Sequence, residues 1–528
     1  MGRLVKRPRN LCWLGILWSV VVIGGCAQRA ERPKHLVLIV VDTLRADVLG
    51  CYGGEAVTPN IDRLAAEGAR FEWARSHIPI TGPSHLSLFT SLLPNQHGLR
   101  NNAQVVPDDV ELLAEILKRS GFETTGVVSL GVLESKFGFS RGFDRYDDRV
   151  MGRFWRDAAE VNEVALPLIQ SETRRRQFLW IHYSDPHAPY APPDGDLPTA
   201  HFYLGGSFVA EVRLDGRYFS IPIDLPPGET ELEVRPSEGD SPRRVALRRL
   251  RICGGEARIE PGGGLVRGKG QRTKNMFFGR TPASAVIVNP GLEAITGGLE
   301  GTIEFTPRGD DLHRLYRKEV EFTDRQIGRL TAALRSKGIW EDSVVVFVGD
   351  HGEGLGESGR FGHVDHLYDE TLRVPLIVVA PNRLTPGTVV STSVRLIDVL
   401  PTVLEMLDVT PPAGMTGESL STLIEQSGPD RPVVGMTYEP QAELEGRVLV
   451  SNGFKYIWTI DNDGRELFDL ADDPHETDNL VDQNPALADA MHEALQRALA
   501  DSQADRLARP AELSQEEIEG LEALGYVH

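Results

Sequence analysis

Two short apolar runs, far apart in the chain, limit what it can fold into. His35–Val41 (HLVLIVV) and Ser343–Val348 (SVVVFV) are continuous and rich in β-branched residues. A strand with one wet face alternates. A run without alternation is buried on both faces, as an inner strand is when helices cover the sheet. Each run stops at acidic residues: Asp42 after the first, and Gly349-Asp350-His351-Gly352-Glu353-Gly354 after the second. The C-terminal ends of such strands are where open α/β sheets build their sites. An Asp at that position also caps ordinary turns, so its placement alone leaves both readings open.

The stretch Ser76–Gly98 (SHIPITGPSHLSLFTSLLPNQHG) adds a second constraint. Gly82 and Pro83 impose a tight turn, and Pro belongs in the first turn of a helix. Leu86, Phe89, Leu92 and Leu93 then follow at helical spacing, so one face of that helix is buried. Thr81 is therefore delivered to a helix N-terminus, where free N–H groups and the positive end of the dipole suit sulfate or phosphate. A plain N-cap is the other reading of the same hydroxyl. Further helices are expected at Pro59–Leu64, Leu112–Gly121, Asp310–Lys337 and Leu396–Leu407, with strands at Thr124–Ser129, Phe178–Tyr183 and Val374–Ala380.

From about 195 to 307 the pattern changes to short alternating segments: Phe208–Leu214, Tyr218–Ile223, Thr230–Arg235, Val245–Ile252 and Thr302–Phe305. Strands at that spacing, parted by Asp-Gly and Pro-Pro-Gly turns, read as an inserted antiparallel β module with a basic, Gly-rich loop near 262–274. After Arg431 come strands near Val433–Thr437, Arg447–Ser451, Phe454–Thr459 and Glu466–Asp469, the helix Leu487–Leu499, and an acidic tail at 513–525.

The 528 residues carry a formal net charge of −20, and a chain beginning at Cys26 would also lose Arg3, Lys6, Arg7 and Arg9. Such a surface excludes nucleic acid as a partner, so an anionic substrate must be held locally, by a metal ion and a few cationic groups. Residues 1–25 read as an export signal: a basic start, then the uncharged run Leu11–Gly25, too short for a comfortable membrane span. The ending Ile23-Gly24-Gly25-Cys26 resembles a bacterial lipobox, which implies a lipid-anchored protein of the cell envelope, attached to the membrane at Cys26. Cys51 and Cys253 are too few for a disulfide framework. Oligomeric state is not legible.

The ordered set Asp42, Thr81-Gly82-Pro83-Ser84-His85, Asp185-Pro186-His187-Ala188-Pro189-Tyr190, Gly349-Asp350-His351-Gly352-Glu353, Gly362-His363 and Leu372-Arg373-Val374-Pro375-Leu376 resembles the sulfatase family of the alkaline-phosphatase superfamily. The resemblance implies an α/β fold: a large mixed sheet between helices, with an inserted all-β module and a small C-terminal α+β domain. The expected divisions are a leader at 1–25, a tether at 26–34, a catalytic core at 35–194 and 308–425, the insert at 195–307, and the C-terminal subdomain and tail at 426–528. It further implies that Asp42, Asp350 and His351 ligate one divalent metal ion, bridged by Thr81 as nucleophile. His187 and His363 would contact the transferred group or the leaving group. His85, in the place of the family's arginine, and Asn101 would line the substrate site. Asp and His together suit Zn, Mn or Fe, and Ca or Mg, which prefer all-oxygen shells, is not resolved against them. A second metal through Asp185, His187, His363 or His366 is the less favoured alternative.

Three departures shift the expected chemistry. The family's cysteine or serine, converted to formylglycine, is Thr81, whose β-carbon carries a methyl group and cannot be converted. The motif arginine is His85, and a second acidic residue after Asp42 is replaced by Thr43. The expectation is therefore a metal-dependent hydrolase of anionic esters, with phosphomonoester, phosphodiester or phosphonate chemistry favoured. The substrate would be glycan- or lipid-linked. The alternatives are a sulfuric ester hydrolase in the strict sense, a phosphoethanolamine or phosphoglycerol transferase, and a non-catalytic glycan-binding surface lipoprotein. Four ligand-type residues in register argue against the last.

Overall fold

The computed structural model describes residues 33–521, apart from short segments at 151–153, 172–174, 189, 194–196, 198, 237–243, 254–257, 262–265, 268–275, 279–282, 291–292, 307–309, 439–444, 503–505, 515–516 and 519–520. The leader with Cys26, most of the Gly-rich loop and most of the acidic tail lie outside the described residues.

Both apolar runs are inner strands of one eight-stranded sheet. Its order is Thr388–Arg395, Ala69–Arg75, Arg373–Val379, Ser343–Gly349, His35–Val41, Arg176–Tyr183, Phe122–Val127, Arg145–Asp147. His35–Val41 runs parallel to Ser343–Gly349 on one side and to Arg176–Tyr183 on the other. The sheet is mixed because Arg373–Val379 is antiparallel to both of its neighbours. Successive residues of the central strand feed opposite layers, as the pleat requires. Val37, Ile39 and Val41 pack with Leu315, Ile327, Leu330 and Leu334 of the helix Asp310–Lys337. Leu36, Leu38 and Val40 pack with Leu86 and Phe89 of the helix Thr81–Thr90 and with Leu400 and Val403 of Val399–Met406. Ala69–Arg75 and Thr388–Arg395 carry no clean period, which is why the sequence does not announce them as strands.

The described residues between 199 and 306 form two five-stranded antiparallel sheets, and among them no strand pairs with the central sheet. Beyond the expected alternating segments they include Ala283–Asn289 and Arg258–Pro261. Their inward residues Phe202, Leu225, Val234, Ile287 and Leu299 belong to the same apolar cluster as the helix Asp310–Lys337. The C-terminal part is a four-stranded antiparallel sheet, Val433–Tyr438, Glu445–Ser451, Phe454–Thr459 and Gly464–Asp469, covered by the helix Pro485–Asp501.

A buried ion cluster ties this small sheet to the large one. Arg75 grips Asp369 through Nε and Nη2 (2.9 and 2.6 Å). Lys455, with no exposed surface, reaches Asp369 at 2.9 Å and Glu476 at 2.7 Å. Glu476 also accepts the Asp369 N–H at 2.5 Å. Burial resists ionisation of Asp369, but Arg75 and Lys455 outweigh it and hold the carboxyl far below its ordinary 3.8. For Glu476, burial together with the Asp369 charge outweighs Lys455 and pushes the carboxyl from 4.5 up to about 7. The folded protein thus holds the Glu476 proton more tightly than the unfolded chain does, so this stabilisation is complete below pH 4.5 and lost as pH rises through about 7. Asp369 behaves oppositely: its contribution is complete above pH 3.8 and declines in stronger acid. Glu476→Gln should therefore flatten the fall in Tm between pH 5 and pH 8 and leave Tm at pH 8 no lower than the parent's. Parallel Tm-against-pH curves for the two proteins in thermal circular dichroism would remove Glu476 as the titrating group.

Candidate active site

Asp42 is the first residue beyond His35–Val41, and Asp350 and His351 follow Ser343–Gly349 directly. The register pairs Val41 with Gly349, so the two aspartates emerge side by side. Thr81 opens the helix Thr81–Thr90 and faces them. Its Oγ1 lies 3.4 Å from Asp42 Oδ1 and 3.4 Å from His351 Nε2. His351 Nε2 is 3.5 Å from Asp42 Oδ1 and 3.6 Å from Asp350 Oδ2. All four residues are fully buried.

The electrostatics of this group fit a cation. Asp42 Oδ2 and Asp350 Oδ2 are buried with no hydrogen-bond partner. Burial pushes both carboxyls above the usual carboxylate range, and the Asp42 charge raises Asp350 further. Two ionised carboxylates at this depth are tolerable only when paired or bound to a metal. The imidazole is prepared for the same task. His351 Nδ1–H donates to Gly352 O at 3.0 Å, which leaves the Nε2 lone pair facing Asp42 and Thr81. Among the described residues, Asp42, Asp350 and His351 are the one cluster of such side chains whose ligand atoms could all reach a single ion. Two carboxylates, an imidazole and a hydroxyl make an O/N set suited to one divalent ion.

The backbone around Asp42 is strained to hold it. Thr43 sits in the left-handed region (φ 52°), unusual for a β-branched residue. Its carbonyl accepts the Tyr316 hydroxyl at 2.6 Å, and its N–H donates to Asp350 Oδ1 at 3.2 Å. Across the site, the Ser84 hydroxyl donates to Asp350 O at 2.7 Å, locking the nucleophile helix to the strand end.

The histidines divide by position. His187 and His363 stand together with ring centroids 5.1 Å apart, and His363 is 4.6 Å from His351. Burial draws the His363 imidazole down, but the Glu353 carboxylate at 3.1 Å outweighs it and the net shift is upward. Glu353 is itself fully buried and is hydrogen-bonded by Tyr190. The sequence reading quoted Glu353 within its motif and gave it no role. The hairpin Gly354–Leu355/Phe361–Gly362 brings Glu353 and His363 together.

His85 does not line an open substrate surface. It is wholly buried, and its Nδ1–H donates to Thr81 O at 2.8 Å and lies 3.4 Å from Asp350 Oδ2. Burial holds its pKa down at about 4. Asn101 turns into its own loop, its Oδ1 accepting the Ala103 N–H. The neighbouring Asn102, which the sequence reading did not name, reaches the nucleophile helix: its Oδ1 accepts the Gly82 N–H at 2.7 Å, while its Nδ2 is buried with no hydrogen-bond partner. Asp185 caps the helix Ala158–Gln170 through the Ala158 N–H at 2.8 and 3.1 Å, and His366 Nε2 meets Gly362 O at 3.2 Å.

The chain is similar to known proteins in sequence and fold. Residues 34–409 fit the sulfatase family model, and residues 356–505 fit the model of the N-sulphoglucosamine sulphohydrolase C-terminal domain. An N-acetylglucosamine-6-O-sulfatase of Bacteroides thetaiotaomicron is 23% identical over 500 residues, covering 88% of this chain and 86% of that protein. An ulvan-active sulfatase of Formosa agariphila is 26% identical over 467 residues, with 86% and 78% covered. The crystal structure of the phosphonate monoester hydrolase of Agrobacterium radiobacter superposes with a TM-score of 0.62 at 17% identity, covering 89% of this chain and 96% of that one. A structure solved in complex with its substrate, D-glucosamine-2-N,6-O-disulfate, gives a TM-score of 0.61 at 18% identity, with 90% and 98% covered. With the family model spanning most of its length and the alkaline-phosphatase-like fold in place, this chain is a hydrolase that belongs to the sulfatase family of the alkaline-phosphatase superfamily.

Proposed function

We propose that this hydrolase cleaves phosphoryl-type esters (phosphomonoesters, phosphodiesters or phosphonate esters) with Thr81 as an unmodified nucleophile. The observation that carries the reading is the position of Thr81 Oγ1, at a helix N-terminus and 3.4 Å from both Asp42 Oδ1 and His351 Nε2, on a β-carbon that formylglycine chemistry cannot use. Asp42, Asp350, His351 and Thr81 would hold one divalent ion, Zn or Mn by the mixed oxygen and nitrogen donors. When bound, such an ion lowers the pKa of a hydroxyl and offsets anionic charge.

The protein's own groups do the rest. Thr81 Oγ1, its proton directed at Asp42 Oδ1, attacks the central phosphorus. The N-terminal N–H groups of the helix Thr81–Thr90 and the Asn102 amide, fixed by Gly82, would hold the equatorial oxygens. The Glu353-held His363, with the His187 ring beside it, would neutralise charge and give a proton to the departing alkoxide. Water then attacks the Thr81 ester and restores the hydroxyl. Anchoring through a lipid on Cys26 belongs to the same proposal and rests on the leader sequence alone.

A second reading, hydrolysis of sulfate esters by the same Thr81, is favoured by the curated relatives, which are named as sulfatases. Turnover of the metal-loaded protein on matched aryl sulfate, phosphate mono- and diester and phosphonate substrates separates the two. The phosphoryl reading expects turnover of the phosphorus esters and a phosphoryl-sized mass on the Thr81 peptide with a slow substrate. Turnover of aryl sulfate alone overturns it.

Thr81→Ala should lose turnover, on the order of 10³-fold or more, with the fold and most ion affinity kept. Thr81→Ser should retain part of it. A Thr81→Ala variant as fast as the parent would reduce Thr81 to a helix cap. Asp350→Ala should lose ion and activity together, and full occupancy of that variant by elemental analysis would refute the ligand set.

A further inference from the structure

Behind the site, a line of buried polar side chains crosses the central sheet. Ser129 follows the strand Phe122–Val127, and its hydroxyl lies 2.8 Å from His182 Nδ1 in the strand Arg176–Tyr183. The His182 ring packs on His85 with centroids 4.9 Å apart. His85 Nδ1 in turn bonds Thr81 O at 2.8 Å and faces Asp350 Oδ2 at 3.4 Å. None of these side chains is exposed.

The far ends of these rings are unusual. His85 Nε2, His182 Nε2 and the neighbouring Trp180 Nε1 are buried without a hydrogen-bond partner. Phe89 and Trp180 line the same space, with Phe89 edge-on to both His85 and Trp180. A polar atom buried without a partner costs stability, whereas a phenylalanine or leucine would fill such a space without that cost. Packing therefore does not explain two imidazoles here. What an imidazole adds over a phenyl ring is its Nδ1, and both Nδ1 atoms are engaged in a line that ends on Thr81 and Asp350.

We propose that Ser129 and His182 are positioning residues that fix His85 against Thr81 and Asp350, so that this line sets the affinity of the site for its divalent ion. The inference rests on the reading of Asp42, Asp350 and His351 as ligands. It acts through geometry: Ser129 orients the His182 ring, the His182 ring fixes the plane of His85, and His85 holds the Thr81 carbonyl and the Asp350 carboxylate at a set spacing. Residues that orient ligands in this way change metal affinity by about 10- to 100-fold when removed.

The test uses the full chain, freed of metal with a chelator and titrated with Mn2+ and separately with Zn2+ by calorimetry. Ser129→Ala and His182→Phe should each raise the Kd for the ion by tenfold or more, while the Tm of the metal-free variants stays at or above the parent's. Ser129→Thr, which keeps the hydroxyl, should bind like the parent. A role in packing alone predicts the reverse: a lower metal-free Tm with unchanged Kd. That outcome, or equal Kd values for Ser129→Ala and Ser129→Thr, overturns the proposal. If His182→Phe fails to fold, the two Ser129 variants decide. A parent that binds neither ion overturns the ligand reading and this inference with it. A parent that binds an ion but turns over no ester overturns the hydrolytic reading alone, and the Kd comparison still judges Ser129 and His182.

Discussion

The site depends on one electrostatic constraint. Two parallel strands, paired at Val41 and Gly349, each end in an aspartate, and strands in register lie only about 5 Å apart. Asp42 and Asp350 are therefore brought together by the sheet itself, in a place with no solvent to screen them. Neither can ionise comfortably, and both carboxyls are driven up. Their burial is a standing demand for positive charge. The other parts of the site answer it: a helix N-terminus aimed at the pair, an imidazole whose lone pair faces inward, and a histidine whose pKa a glutamate of its own draws upward.

That constraint reaches well beyond the strand ends. Thr43 accepts a strained backbone so that Asp42 keeps its direction, with the Tyr316 hydroxyl from the long helix Asp310–Lys337 holding the turn. The loop Asp350–Glu353 is strapped to the short helix Asp369–Leu372 by Gly352 N–H to Thr371 O (2.7 Å) and Glu353 N–H to Glu370 O (2.8 Å). A Cβ at residue 352 would lie 2.1 Å from Glu370 O, so glycine is required there. The same short helix begins at Asp369, the centre of the Arg75–Lys455–Glu476 cluster. The C-terminal sheet is thus connected, through a few bonds, to the loop that carries His351 and Glu353.

Much of this was legible in the sequence, for physical reasons that differ by residue. Asp42, Asp350 and His351 stand at the ends of runs whose lack of alternation fixes them as inner strands, and Thr81 stands at a turn that Gly82 and Pro83 dictate. The four-residue spacing of His85 from Thr81 puts it one helical turn further in, over the Thr81 carbonyl. Asn102 was not legible because loop residues carry no period that marks which of them turns towards the helix Thr81–Thr90. The Glu353–His363 pair depends on a hairpin with only two residues per strand, too short to leave a pattern. The strands Ala69–Arg75 and Thr388–Arg395 mix polar and apolar residues at one side of the sheet, where burial is incomplete.

The proposed choice of ester chemistry turns on the residue at position 81. The β-carbon of threonine bears a methyl group and one oxygen. An ester formed on that oxygen has no second hydroxyl beside it to assist its release, so the central atom must be attacked a second time, by water. The Asn102 side chain accepts the Gly82 N–H in the first turn of the helix Thr81–Thr90, and the His187 and His363 rings lie 5.1 Å apart. Phosphoryl groups retain negative charge on their equatorial oxygens throughout both displacements, so fixed donors would act on them at every stage. A sulfuryl group carries less charge on those oxygens and gains less from the same surroundings. The threonine is therefore the ground on which we propose phosphorus as the central atom, in a chain similar both to proteins named as sulfatases and to a phosphonate monoester hydrolase.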